Sequence, residues 1–134
     1  MSLSQETRQK LIAAAQKARQ YAYAPYSNYH VGAALLAENG TVFTGCNVEN
    51  ATYGATVCAE RTAVFKAVSE GVREFQAIVV ATSNGGSPCG ICRQVLYEFA
   101  PDITVIMVDE TGTVRHEGSL HDLLPMGFSP ADLV

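Results

Sequence analysis

The 134-residue sequence predicts a three-layer α/β domain, with helices on both faces of a mixed five-stranded sheet whose last two strands are antiparallel. Three observations predict it. Apolar runs of strand length alternate with stretches of helical period along the chain. An Asn39-Gly40 pair, a strong hairpin signal, separates the first two strand runs. Only residues 109–112 separate the last two, too few for the crossover helix that a parallel pair needs, so that pair closes as a hairpin.

Taken in order, residues 5–23 carry Leu11, Ala14, Ala15, Ala18 and Ala22 at spacings of three and four, a helical stripe of small side chains suited to close packing. Pro25 is expected to end this helix, because proline disfavours helical geometry in the residue before it. Residues 31–36 and 41–46 read as the two strands of the opening hairpin, and 47–57 reads as irregular. Helical spacing returns over 58–69 through Ala63, Val64, Ala67 and Val68, and Gly71 closes it. Residues 75–81 form a buried strand, 83–88 a loop, 90–99 a short helix and 103–108 another apolar strand, an order that implies a parallel crossover. Residues 113–116 supply the fifth strand. No repeat or Pro/Ser-rich linker interrupts the series, so residues 1–134 are expected to form one domain.

Composition narrows the function. Apolar residues at 48% and charged residues at 16% belong to a folded protein and are too apolar for a disordered one. The net charge of -4, with no basic run among nine Lys and Arg residues, argues against a nucleic-acid partner, which calls for a phosphate-neutralising patch. No apolar stretch reaches the roughly 18 residues needed to span a bilayer, and the N-terminus lacks the apolar core of a signal peptide, so a cytoplasmic location and no membrane partner are expected. In a reducing compartment, four cysteines point to metal or catalysis rather than to disulfides.

Three of those cysteines cluster, as Cys58-Ala59-Glu60 and as Pro88-Cys89-Gly90-Ile91-Cys92, and both clusters open predicted helices. A C-x-x-C at a helix start is a common zinc half-site. Helix N-termini also stabilise thiolates, since their unpaired N–H groups and positive dipole end favour negative charge. Three thiolates on Zn²⁺ leave one coordination position open to water, the pattern of catalytic rather than structural zinc. They also leave a formal charge of minus one that weakens the Lewis acid. Arg61 and Arg93, each next to a cluster, are candidates to offset it by donating hydrogen bonds to sulfur. Glu60 is the candidate proton carrier, because a carboxylate beside an open metal position can take a proton from water and pass it on. The residues alone leave two alternatives open: a structural zinc site completed by Cys46, His30, His116 or His121, and a thioredoxin-like redox pair at Cys89 and Cys92. Cys46 and the three histidines are otherwise expected to be structural or surface residues.

The run from Cys58 to Ala63 followed by Pro88 to Gln94 resembles the cytidine deaminase family; zinc deaminases more widely carry H-x-E and then P-C-x-x-C. Cysteine replaces the histidine here, as in the small nucleoside deaminases. Segments 24–27, 31–35, 45–51 and 123–125 extend the likeness over nearly the whole chain. The resemblance implies a three-layer α-β-α cytidine deaminase-like fold and one Zn²⁺ per subunit on Cys58, Cys89 and Cys92. It implies hydrolytic deamination of cytidine and 2′-deoxycytidine with Glu60 as proton shuttle.

By the same likeness Asn47 and Glu49 bind the ribose hydroxyls, Tyr29 lines the base pocket where the family commonly has Phe, and the backbone of Ala59 contacts the base or leaving group. Ala51, Tyr53 and Phe128 approach a neighbouring subunit's nucleoside in a homotetramer with shared active sites. The apolar 123–128 segment, hard to bury in so small a domain, agrees with such assembly. A blasticidin-type deaminase is the nearest rival. A nucleic-acid editor and an inert zinc-stabilised module are the rivals from other classes.

Overall fold

The computed structural model describes residues 3–133. Helix α1 (Gln5–Arg19) leads to strands β1 (Gly32–Ala37) and β2 (Val42–Cys46), then α2 (Ala59–Ser69), β3 (Phe75–Ala81), α3 (Gly90–Phe99), β4 (Thr104–Val108), β5 (Val114–Ser119) and a single turn, α4 (Leu120–Leu123). The strands lie in the order β2-β1-β3-β4-β5. Within this sheet β3 and β4 run parallel; the other neighbours, including the last pair, are antiparallel as expected.

The three layers follow from burial on both faces of the central strands. Leu35, Ile78, Val80 and Val105 pack with Ala63, Val64 and Leu96 of α2 and α3 on one side. Leu36, Val79, Ile106 and Val108 pack with Leu11, Ile12 and Ala15 of α1 on the other. All six residues of β1 are buried, which explains its unbroken apolar run. The turns match their residue types: Gly40 and Gly112 adopt φ of +90° and +83° in the two hairpins, and Gly71, at +84°, ends α2.

Two boundaries differ from expectation. Helix α1 stops at Arg19, well before Pro25. Non-local pairing takes over: the Tyr23 N–H donates to Asn47 O (2.9 Å) and Tyr23 O accepts from the Glu49 N–H (2.8 Å), so the chain after Arg19 runs beside 47–49. Strand β5 runs on to Ser119 because Glu117, Gly118 and Ser119 pair with Ile106, Val105 and Thr104. That edge is tied to α1 by a two-pronged ion pair, Arg8 Nη2 to Glu117 Oε1 (2.5 Å) and Arg8 Nη1 to Oε2 (3.1 Å).

Close contact between β2 and α2 sets the position of the residues that begin α2. A Cβ on Gly45 would lie 2.6 Å from both Ala59 O and Ala63 N, so only glycine permits this spacing. Gly45→Ala is expected to destabilise the protein by about 1–3 kcal/mol and lower its thermal midpoint by several degrees. Differential scanning calorimetry checks this, and an unchanged midpoint would show that the layers have slack.

Candidate active site

The candidate metal ligands sit where two helices begin. Cys58 is the N-cap of α2 and Cys89 the N-cap of α3, both with extended backbone, and Cys92 lies in the first turn of α3, fully buried. Their three sulfurs lie within 4.8 Å of one another, and Cys58 Sγ is 3.7 Å from Cys89 Sγ. Tetrahedral zinc with bonds of about 2.3 Å holds its sulfur ligands about 3.8 Å apart, so the spacing fits the ion. The donor chemistry fits as well. Hydrogen bonding from Cys92, helped by Arg61, lowers the Cys58 thiol to about 5, while Cys58 and burial push Cys92 up. Adjacent sulfurs resist ionising together, and a cation among them removes that conflict. Among the described residues the cluster contains these three sulfurs alone; Cys46, His30, His116 and His121 lie outside it.

Arg61 is placed beside the cluster. It lies one helical turn from Cys58 and donates from Nη2 to its sulfur at 3.4 Å, while its buried Nε has no partner. Arg93 is held elsewhere. Its guanidinium donates to Pro88 O (2.8 Å), Leu123 O (2.7 Å) and Ser87 Oγ (2.6 Å), so its recorded hydrogen bonds tie the metal loop to the C-terminal segment rather than reach a thiolate.

Glu60, 4% exposed, shares a cleft of about 260 Å³ with Cys58 and Cys89. Burial raises its carboxyl to about 7, and the charge of Cys58 adds to the effect. Asn47, Glu49 and Tyr29 line the same cleft. The Asn47 side chain also clamps backbone, accepting from the Val31 N–H (2.9 Å) and donating to Tyr29 O (2.8 Å). Glu49 Oε1 accepts from the N–H groups of Tyr26 (2.9 Å) and Ser27 (3.1 Å), and Oε2 from the Ser27 hydroxyl. The Ser27 hydroxyl, followed by these backbone donors, lowers the Glu49 carboxyl below the usual range.

Ala59 is buried at the start of α2 between Cys58 and Glu60. Ala51, Tyr53 and Phe128 stand outside the cleft and are exposed, Tyr53 at 75% and Phe128 at 55%. Tyr53 packs edge-on against Tyr26 with ring centres 5.9 Å apart, in a depression that adjoins the cleft through Ser27, Glu49 and Thr56. The C-terminal segment is held where Gln94 Nε2 donates to Phe128 O (2.7 Å).

Sequence reasoning missed Thr56, Thr82, Gly86 and Ser87, which also line the cleft. The signal was available for the last three. They follow the carboxyl end of β3, where open sheets with parallel strands place ligands. A larger cleft of about 520 Å³, near Gln16, Arg19, His30 and Asp109, contains none of the thiols.

A trio of thiols at two helix starts, with a buried carboxylate beside them in a small cleft, defines a zinc-dependent enzyme on an α/β scaffold. The family model described as "Cytidine and deoxycytidylate deaminase zinc-binding region" matches residues 5–108. A cytidine deaminase of Sporosarcina psychrophila is 52% identical over 128 residues, 93% of each chain. A probable cytidine deaminase of Dictyostelium discoideum is 48% identical over 135 residues, 98% of this chain and 90% of that one. The crystal structure of cytidine deaminase from Burkholderia pseudomallei superposes with a TM-score of 0.85 at 50% identity, covering 94% of this chain and all of that one. The chain belongs to this family of zinc-dependent cytidine deaminases. Among its described residues, no helix is long and apolar enough to cross a membrane.

Proposed function

We propose that the protein hydrolyses free cytidine and 2′-deoxycytidine to uridine and 2′-deoxyuridine, releasing ammonia. One observation carries this reading: Glu60 lies buried in a cleft that also contains two cluster thiols and the polar pair Asn47 and Glu49. The cleft's volume is just below the roughly 300–1,000 Å³ of ordinary ligand pockets, which supports a single small substrate.

Cys58, Cys89 and Cys92 would hold zinc, which when bound would supply the Lewis acidity that makes water a competent nucleophile near neutral pH. Glu60 moves the protons. Its carboxylate takes one from the attacking water, delivers it to N3 of cytosine, and passes a second to the departing 4-amino group. Asn47 and Glu49 bind the ribose hydroxyls, Tyr29 bounds the base, and the Ala59 backbone meets the base or leaving group. Arg61 draws charge from the Cys58 sulfur. Arg61→Gln is expected to retain zinc and lower turnover by about 10- to 100-fold. Metal analysis beside steady-state rates checks this, and a normal rate at normal zinc content would remove the role.

The enzyme assembles as a homotetramer in which Ala51, Tyr53 and Phe128 complete a neighbour's site. The exposure of these two large aromatic rings supports it. Light scattering that finds an active monomer would overturn it. Reduced cysteines for zinc fit the cytoplasm. The substrate assignment is tested by ultraviolet assay of cytidine, deoxycytidine and blasticidin S side by side. Turnover of the first two is expected, and turnover of blasticidin S alone would refute it.

A further inference from the structure

Tyr29 belongs to two segments of the cleft at once. Its backbone sits in the 27–31 segment, where its N–H donates to Ser27 Oγ (3.0 Å) and its carbonyl accepts from Asn47 Nδ2 (2.8 Å). Its hydroxyl reaches the segment after β3 and donates to Asn84 Oδ1 at 2.8 Å. The same oxygen accepts from Thr82 Oγ1 (3.3 Å), which in turn accepts from the Gly86 N–H (2.8 Å). Asn84 is bridged to Asp109 just past the end of β4, so the acceptor is anchored to the sheet. A Cβ on Gly86 would collide with Tyr29 Oη, so this glycine makes room for the hydroxyl. Cys89 follows three residues later.

We infer that the hydrogen bond from Tyr29 to Asn84 is a latch that holds the cleft at its working width, with Asn84 as a positioning residue for substrate affinity. This rests on reading the cleft as the nucleoside site. Phenylalanine at position 29 would keep the ring against the cleft but would leave it untethered. The 27–31 segment and residues 82–87, short of Cys89, would then drift relative to one another, and binding would have to restore their order. Glu60 lies on α2 and Cys58 caps it, and the latch makes no bond to either, so the chemical step is expected to be preserved.

Three variants test the latch: Tyr29→Phe, Asn84→Ala and their combination, with Asn84→Asp as the rescue because it keeps an acceptor oxygen. Each of the first two is expected to raise KM for cytidine about three- to tenfold, the range one net hydrogen bond supports, with kcat and zinc content unchanged. The combination is expected to match either single change, and Asn84→Asp to restore KM. Hydrogen-deuterium exchange is expected to quicken over residues 82–87 of Tyr29→Phe. An unchanged KM and exchange rate in Tyr29→Phe, or single effects that multiply in the combination, would overturn the latch. A parent protein that does not turn over cytidine would instead overturn the functional reading, and the exchange comparison would still decide the latch.

Discussion

Glu60→Gln is expected to keep its full complement of zinc and to lose about 10²- to 10⁴-fold in kcat, the range that positioned proton transfer contributes. Glutamine preserves the volume and most of the polarity of a side chain only 4% exposed, so helix α2 and the three thiols should keep their places. What the amide cannot do is accept a proton from water and release it to N3 and then to the amine. Both halves of the proton traffic therefore fail together, which separates this variant from one that merely loosens binding and raises KM. Zinc stoichiometry by mass spectrometry and turnover by ultraviolet difference give the two readouts. A rate within about tenfold of the parent would show that another group carries the protons.

Cys92→Ala is expected to remove zinc, activity and part of the stability in one step. The residue is fully buried in the first turn of α3, with its sulfur in the cluster shared with Cys58 and Cys89. A metal bound only by the folded chain contributes its binding free energy to folding, about 4 kcal/mol when free metal is a thousandfold above Kd. The parent's thermal midpoint should fall by many degrees with a strong chelator. The variant should already melt near that lower temperature and ignore the chelator. Stoichiometric zinc in the variant would remove Cys92 from the ligand set. A parent midpoint indifferent to the chelator would separate the metal from the fold.

The sheet was largely legible before its coordinates because both faces of its central strands are covered. Residues 77–81 and 105–108 are apolar without interruption, and short apolar runs between helical periods leave few other arrangements. The final hairpin followed from connection length alone. The end of α1 was illegible because Pro25 is a local signal, whereas the helix is stopped by the pairing of Tyr23 with the 47–49 segment. Turn α4 is too short for its period to be recognised.

The two arginines mark the limit most clearly. Each lies within three residues of a cluster cysteine in sequence and carries the same charge. Arg61 stands three residues after Cys58, a spacing that returns a side chain to the same helix face, and it reaches the sulfur. Arg93 meets the Leu123 carbonyl thirty residues farther along, a partner that no local spacing announces.

The sequence by itself determined the chemistry available: three thiols at helix starts, a carboxylate two residues after the first, and an order of elements that yields a parallel pair beside two hairpins. Those properties depend on neighbours within a few residues, where periodicity and helix ends act. Only the tertiary structure decided that sulfurs 31 residues apart lie 3.7 Å from each other, that Arg61 rather than Arg93 reaches a thiolate, and that the Tyr29 hydroxyl meets Asn84. Such distances are fixed by how close layers pack, as when α2 rests on the bare backbone of Gly45. That packing is a property of the folded core and of no single segment.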